Sequence, residues 1–202
     1  MLRCVHNARI NDTFKELFMT KKIGIIIGST RPNRISMSIA TWLQTAMDQS
    51  DLQIDLIDLA DIQLPFLDEV AQPSDGHYEL AHTKAWSQLI QSYDGFVLLF
   101  PQYNWGYPAP LKNALDYLYT EWRGKPVSLV SYGGHGGFQA ALGMQLVVRG
   151  LKMQLMSTNL QLTLKKTDLT ENEQFIDAQQ ALAPYQFYAQ QLGAEFVHRL
   201  AD

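Results

Sequence analysis

Three short segments hold the residues whose types and spacing could do chemistry. The first is Gly28-Ser29-Thr30-Arg31-Pro32-Asn33-Arg34-Ile35-Ser36. It follows an apolar run and leads into a helical pattern, so its backbone N–H groups sit at the positive end of a helix dipole. Ser29, Thr30 and Ser36 add hydroxyl donors. Arg31 and Arg34 can neutralise a phosphate dianion through forked hydrogen bonds. The spacing is neither that of a Walker A loop nor GxGxxG. An ordinary strand–helix turn with a capping serine is the plainer alternative.

The second segment, Pro101-Gln102-Tyr103-Asn104-Trp105-Gly106-Tyr107-Pro108-Ala109-Pro110, places three aromatics within five positions of a loop that should face water. Aromatic rings beside turned-in backbone amides suit a flat heteroaromatic ligand, unless they fold back on the core. The third, Ser131-Tyr132-Gly133-Gly134-His135-Gly136-Gly137, has four glycines in five positions. That composition permits close approach of backbone to a ligand, and successive N–H groups can form a nest for partial negative charge. His135 by itself carries little information. Together the three segments describe a site for a phosphorylated planar ring.

The elements that must position these segments are strands. Ile23-Gly24-Ile25-Ile26-Ile27 and Phe96-Val97-Leu98-Leu99-Phe100 are apolar on both faces, as in buried parallel strands. Ile54 to Leu59, Val127 to Tyr132 and Met153 to Leu164 supply three more. Between them run helical stripes: Ile35, Ile39, Trp42, Leu43, Ala46 and Met47; Trp86, Leu89, Ile90 and Tyr93; Leu111, Ala114, Leu115 and Leu118; Phe138 to Arg149, closed by Gly150; and Phe175 to Phe196. Strict strand–helix alternation predicts a doubly wound α/β sandwich of five parallel strands and five helices with right-handed crossovers. In such a sheet ligands bind beyond the carboxyl ends of the strands, where all three segments fall.

Composition narrows the rest. A chain of 202 residues, 47% apolar and 18% charged, suits one α/β domain. A net charge of −4 without a Lys/Arg stripe argues against nucleic acid as a partner. Apolar runs are strand-sized, so no membrane span is expected. The single cysteine, Cys4, excludes a disulfide within the chain and fits a cytoplasmic location. His77 and His82 are too poorly spaced to begin a metal site, and no metal is expected. Residues 1–20 read as an N-terminal extension ahead of a domain spanning 21–202. Met19, directly before Thr20-Lys21-Lys22, is an alternative start, against a short docked helix around Asp12 to Phe18.

The motifs Gly28 to Arg34, Pro101-Gln-Tyr-Asn, Pro110-Leu-Lys-Asn-Ala-Leu-Asp116 and Ser131 to Gly137 resemble the NADPH-dependent FMN reductase family of flavodoxin-like proteins, which includes quinone, azo-dye and chromate reductases. The resemblance covers Lys22 to the final helix. It implies a flavodoxin-like three-layer sandwich with sheet order 2-1-3-4-5 and FMN at the junction of strands one and three. Carried over by position, Ser29, Arg31, Arg34 and Ser36 hold the FMN phosphate. Pro101, Gln102, Tyr103 and Asn104 border the isoalloxazine and ribityl chain. Tyr132, Gly133, Gly134 and Gly136 approach the pyrimidine side. Gln102 departs from the Glu of many members, and Arg34-Ile35-Ser36 departs from the Gly-Ser-Phe/Tyr-Asn of some.

The implied activity is ping-pong transfer of electrons from NAD(P)H to a small acceptor, with no indispensable catalytic side chain, because a flavin brings its own hydride chemistry. A flavodoxin-type electron carrier and an FMN-dependent regulatory module are the competing classes. Trp105, Tyr107, Tyr117, Tyr119 and Trp122 are many aromatics for one loop and helix, which leads to the expectation of a homodimer or tetramer.

Overall fold

The computed structural model describes residues 20–201. The expectations for the leader and for Met19 lie outside them. Strand β1 (Lys21–Ile27) is paired in parallel with β2 (Leu52–Asp58) on one side and β3 (Gly95–Pro101) on the other. Strand β4 (Pro126–Gly133) follows β3, and the outer position beyond β4 is shared by β5 (Gln154–Leu155) and β6 (Leu160–Thr163). The order β2-β1-β3-β4-β5 is the expected one.

Alternation along each strand feeds two cores. Ile23, Ile25 and Ile27 join the cluster under α1 (Ser36–Ala46) and α7 (Gln186–Leu200). Ile26 joins the cluster under α3 (Ala81–Gln91), α4 (Ala109–Asp116) and α5 (Phe138–Gly150). With helices on both faces, both residue sets of β1 are sealed from water, which is why the run carries no polar alternation. Two short helices, α2 (Leu59–Ile62) and α6 (Ala178–Leu182), complete the named elements.

Four local expectations are corrected. The fifth strand is broken: Val127 faces Leu155 and Val130 faces Leu160, so the outer strand carries a local insertion. Side chains seal the gap. Leu129 N donates to Asn159 Oδ1 (2.8 Å), Ser128 Oγ donates to Thr158 O (2.7 Å), and Glu195 accepts from Ser157 N and Thr158 N (both 2.8 Å). A bulged edge of this kind discourages pairing with another chain. The last helix is interrupted by a 3-10 turn at Ala183–Tyr185, because Pro184 has no N–H to continue the helical ladder. Gly150 stays helical, and the left-handed residue is Lys152 (φ 59°). There Met153 N bonds Val148 O and Lys152 N bonds Arg149 O (both 3.0 Å), the paired bonds of a Schellman ending. Leu118 lies beyond the end of α4, though it remains buried.

The aromatic segment is also resolved. Tyr117 and Trp122 are buried in the chain's own core, and Tyr107 and Tyr119 are half-buried. Only Trp105 of those five is largely exposed. Asn113 braces the β2–α3 connection: its side chain accepts from Leu67 N (3.0 Å) and donates to Pro65 O (2.7 Å).

Candidate active site

The strands are all parallel, but their order of connection reverses at β1, which has β2 on one side and β3 on the other. The loops leaving the carboxyl ends therefore diverge and leave a crevice. That crevice is a cleft of about 380 Å³ lined by Ser29, Arg31 and Arg34, by Pro101, Gln102 and Tyr103, and by Tyr132, Gly133 and Gly134. Three expected residues do not line it. Ser36 is buried at the start of α1, Asn104 is exposed at a turn, and Gly136 is buried under Gln161.

At the β1–α1 loop, α1 has no side-chain cap and no acidic residue in its first turn. Its N-terminal amides and dipole are thus free to act on an anion. Ser36 Oγ is buried without a hydrogen-bond partner of good geometry, and so is Arg34 Nε. Buried polar groups are rarely left so, and two of them beside an uncapped helix start fit a phosphate. Both arginines already meet carboxylates. Arg34 Nη2 lies 2.5 Å from Asp58 Oδ2, and Asp58 Oδ1 also accepts from Ala60 N at the start of α2 (3.0 Å). Arg31 Nη2 lies 3.5 Å from Glu173 Oε2.

The loop after β3 is tied to this one by Tyr103 OH and Ser29 Oγ, 2.8 Å apart. Tyr103 and Gly106 exchange both backbone hydrogen bonds at 2.9 Å, closing a two-residue turn with Asn104 (φ 46°) and Trp105 (φ 69°) at its centre. Such a turn needs left-handed residues at both positions and prefers Asn-Gly. Asn104 suits it, whereas Trp105 is strained and holds a 73% exposed side chain in the turn that follows Tyr103 of the cleft lining. Trp105→Gly is expected to raise the unfolding free energy by about 1 kcal/mol, the left-handed cost less the added chain entropy. It should also raise KM for a flat acceptor. Thermal melts together with acceptor titrations check both effects; a lower Tm refutes the strain.

The loop after β4 turns at Gly136 (φ 67°) and Gly137 (φ 74°), where a Cβ at Gly137 would come within 2.9 Å of Ser131 Cβ. Ser131 Oγ holds the turn by donating to Gly136 O (2.6 Å). Gln102 Oε1 accepts from Ala140 N in the first turn of α5 (3.1 Å), so this amide serves as a helix cap next to the cleft. Burial pushes the Tyr132 phenol up, with the Ser36 and Ser29 hydroxyls opposing, so the ring stays neutral.

Sequence reasoning gave no role to Asp58, Glu173, Asn33, Lys166, Leu164 and Leu169. Asp58 was recoverable, since it ends the strand beside β1, and Asn33, since it lies within the first segment. The others carry no local signal. A larger hollow of about 470 Å³ is lined by Thr163, Lys165, Asp168, Asp177 and Tyr185, among others. Its polar groups satisfy one another: Asp168 accepts from Lys165 N, Tyr185 OH from Thr163 N, and Asp177 from Gln180 N. The chemistry converges on the smaller cleft. Among the described residues no group of three His, Cys, Asp or Glu side chains could hold a metal ion, and His82 pairs with Asp68 at 2.9 Å.

Residues 21–166 match the family model for NADPH-dependent FMN reductases. The chain belongs to this family. An NAD(P)H-dependent FMN reductase of Schizosaccharomyces pombe is 44% identical over 160 residues, covering 78% of this chain and 80% of that protein. One from Saccharomyces cerevisiae is 41% identical over 147 residues, covering 67% and 77%. Among solved structures, the flavoenzyme NAD(P)H:(acceptor) oxidoreductase FerB of Paracoccus denitrificans has the same fold, with TM-score 0.66 at 18% identity over 86% of this chain and 96% of that one. The FMN reductase family membership makes the protein an oxidoreductase dependent on FMN and a reduced nicotinamide nucleotide. No helix among the described residues is long and apolar enough to cross a membrane.

Proposed function

We propose that this FMN reductase homologue binds FMN in the 380 Å³ cleft and reduces quinones, free flavin, azo dyes or similar flat acceptors, with 21–202 as the working unit. The observation that carries this reading is Arg34 Nε, on a residue that lines the cleft, and Ser36 Oγ, buried behind it at the uncapped start of α1, both without a hydrogen-bond partner of good geometry. They fit a phosphate, with Ser29 and Arg31 alongside. FMN bound there would supply the two-electron chemistry between NAD(P)H and the acceptor.

The chain's own residues bind and orient. Pro101, Gln102 and Tyr103, whose turn Asn104 forms, would border the ring and ribityl chain. Tyr132, Gly133 and Gly134 would bring backbone to the pyrimidine side, with Gly136 shaping the turn behind them, and fixed N–H dipoles there would stabilise developing negative charge. No side chain acts as acid or base. A relative at 30% identity over 129 residues, covering 63% of this chain and 69% of that protein, is an FMN-dependent NADPH-azoreductase of Staphylococcus haemolyticus, which supports the flat-acceptor class.

The assembly we infer is a homodimer or a tetramer. Phe138, Leu142 and Leu146 recur every fourth residue on α5, all exposed, and form an apolar stripe starting at the glycine loop. The location is the cytoplasm, in keeping with one cysteine and a reduced nicotinamide donor. Purified protein should be yellow, oxidise NADPH or NADH steadily with a quinone, and scatter light as a dimer or larger. Colourless protein that takes up no FMN defeats the proposal. A yellow protein without turnover would make it an electron carrier or a regulatory module, and a monomer would remove the assembly.

A further inference from the structure

Beyond the motif loops, one segment reaches the cleft from far along the chain. Leu169 and Phe175 form an antiparallel bridge, with Thr170 N bonded to Gln174 O (2.7 Å) and Glu173 N to Thr170 O (2.9 Å). The result is a small hairpin whose tip turns at Glu173 (φ 57°). A left-handed residue after a tight turn is ordinarily Gly or Asn. Here a glutamate occupies it. The hairpin rests on the β1–α1 loop at two points: Gln174 Nε2 donates to Asn33 O (3.1 Å), and Glu173 Oε2 lies 3.5 Å from Arg31 Nη2. Glu173 thereby lines the same cleft as Arg31 and Arg34.

Asp58 already holds Arg34. Glu173 therefore places a second carboxylate against the second arginine of the loop that faces the phosphate. A phosphate dianion drawing on Arg31 must share that guanidinium with the carboxylate or displace it, and it meets a like charge well within a Debye length. A flavin without phosphate meets neither effect.

We propose that Glu173 is a specificity-determining residue, which offsets Arg31 and sets how strongly the cleft prefers a flavin monophosphate over the unphosphorylated flavin. This rests on the reading of the cleft as the FMN site. The consequence is a phosphate site tuned below its full strength, from which FMN exchanges more readily than two unopposed arginines would allow.

The test is equilibrium titration of the full chain with FMN and with riboflavin, read by flavin fluorescence, for the wild type, Glu173→Gln and Glu173→Asn. Both variants should bind FMN about fivefold more tightly at low salt, bind riboflavin unchanged, and lose most of the gain at high salt, as expected for a screened charge at an exposed position. Asn suits the left-handed backbone, so it separates charge from turn geometry. Unchanged FMN affinity, an equal shift for both flavins, or tightening in only one variant overturns the role of Glu173. Wild-type protein that binds neither flavin overturns the cleft as a flavin site, and this inference with it.

Discussion

Arg34→Met is expected to lower the unfolding free energy by about 3 kcal/mol and to weaken FMN binding by about a hundredfold. The stability loss comes from Asp58, whose side chain is only 6% exposed. Methionine covers much the same apolar surface as the arginine stem, so the change chiefly strips a buried carboxylate of its cation. Removing one partner of a buried pair costs about 3–5 kcal/mol, and the remaining contact of Asp58 with Ala60 N holds this case to the lower end. The affinity loss comes from the guanidinium itself, since a charge-assisted hydrogen bond to phosphate is worth about 1.5–3 kcal/mol.

The double variant Arg34→Met with Asp58→Asn separates the two effects. Neutral asparagine can still cap α2 and no longer needs the cation, so denaturant unfolding should recover most of the lost stability while FMN stays weak. If the double variant binds FMN as the wild type does, Arg34 is a structural strut for Asp58 and not a phosphate ligand.

Gly193→Ala is expected to lower Tm by about 10 °C. Gly193 is buried on α7 where that helix crosses the end of α1, and a Cβ there would run into Met47 O, with Met47 C and Cα next nearest. The obstacle is backbone, so no rotamer change relieves it and the two helices must move apart. Overpacking costs about 1–3 kcal/mol, and a clash this close belongs at the top of that range. For a domain of this size that is roughly 6–12 °C. Because the opposite end of α1 carries Ser36 and the uncapped amides, the displacement should also loosen FMN. Circular dichroism melts read the first effect and flavin retention the second; a Tm within 2 °C of wild type contradicts the close approach.

Much of the fold was legible because its signals are local. The run Ile23 to Ile27 has no polar alternation, so it had to be covered on both faces, and the stripe Ile35, Ile39, Trp42, Leu43 named the helix that follows it. Sheet order came from the resemblance and was met by the β1 pairings. The Gly150 and fifth-strand errors differ in cause. At the end of α5 the local Schellman bonds put the left-handed residue at Lys152, two positions beyond the glycine, whereas the fifth strand is broken by long-range bonds from Glu195 and Asn159. In the aromatic run from Trp105 to Trp122, composition does not say which rings face inward; the core took Tyr117 and Trp122 and left Trp105 exposed.

The sequence by itself determined that a loop rich in serine and arginine, an aromatic loop and a glycine loop end three parallel strands, because hydrophobic period and residue type are written in neighbouring positions. Only the tertiary structure decided the charge state of the site. Asp58 comes to Arg34 from the strand beside β1, and Glu173 comes to Arg31 on a hairpin whose contact with Asn33 spans 141 residues. Contacts between elements so far apart follow from how the layers pack, and the strained turns at Trp105 and Glu173 likewise contradict local preference and persist only because the surrounding fold holds them.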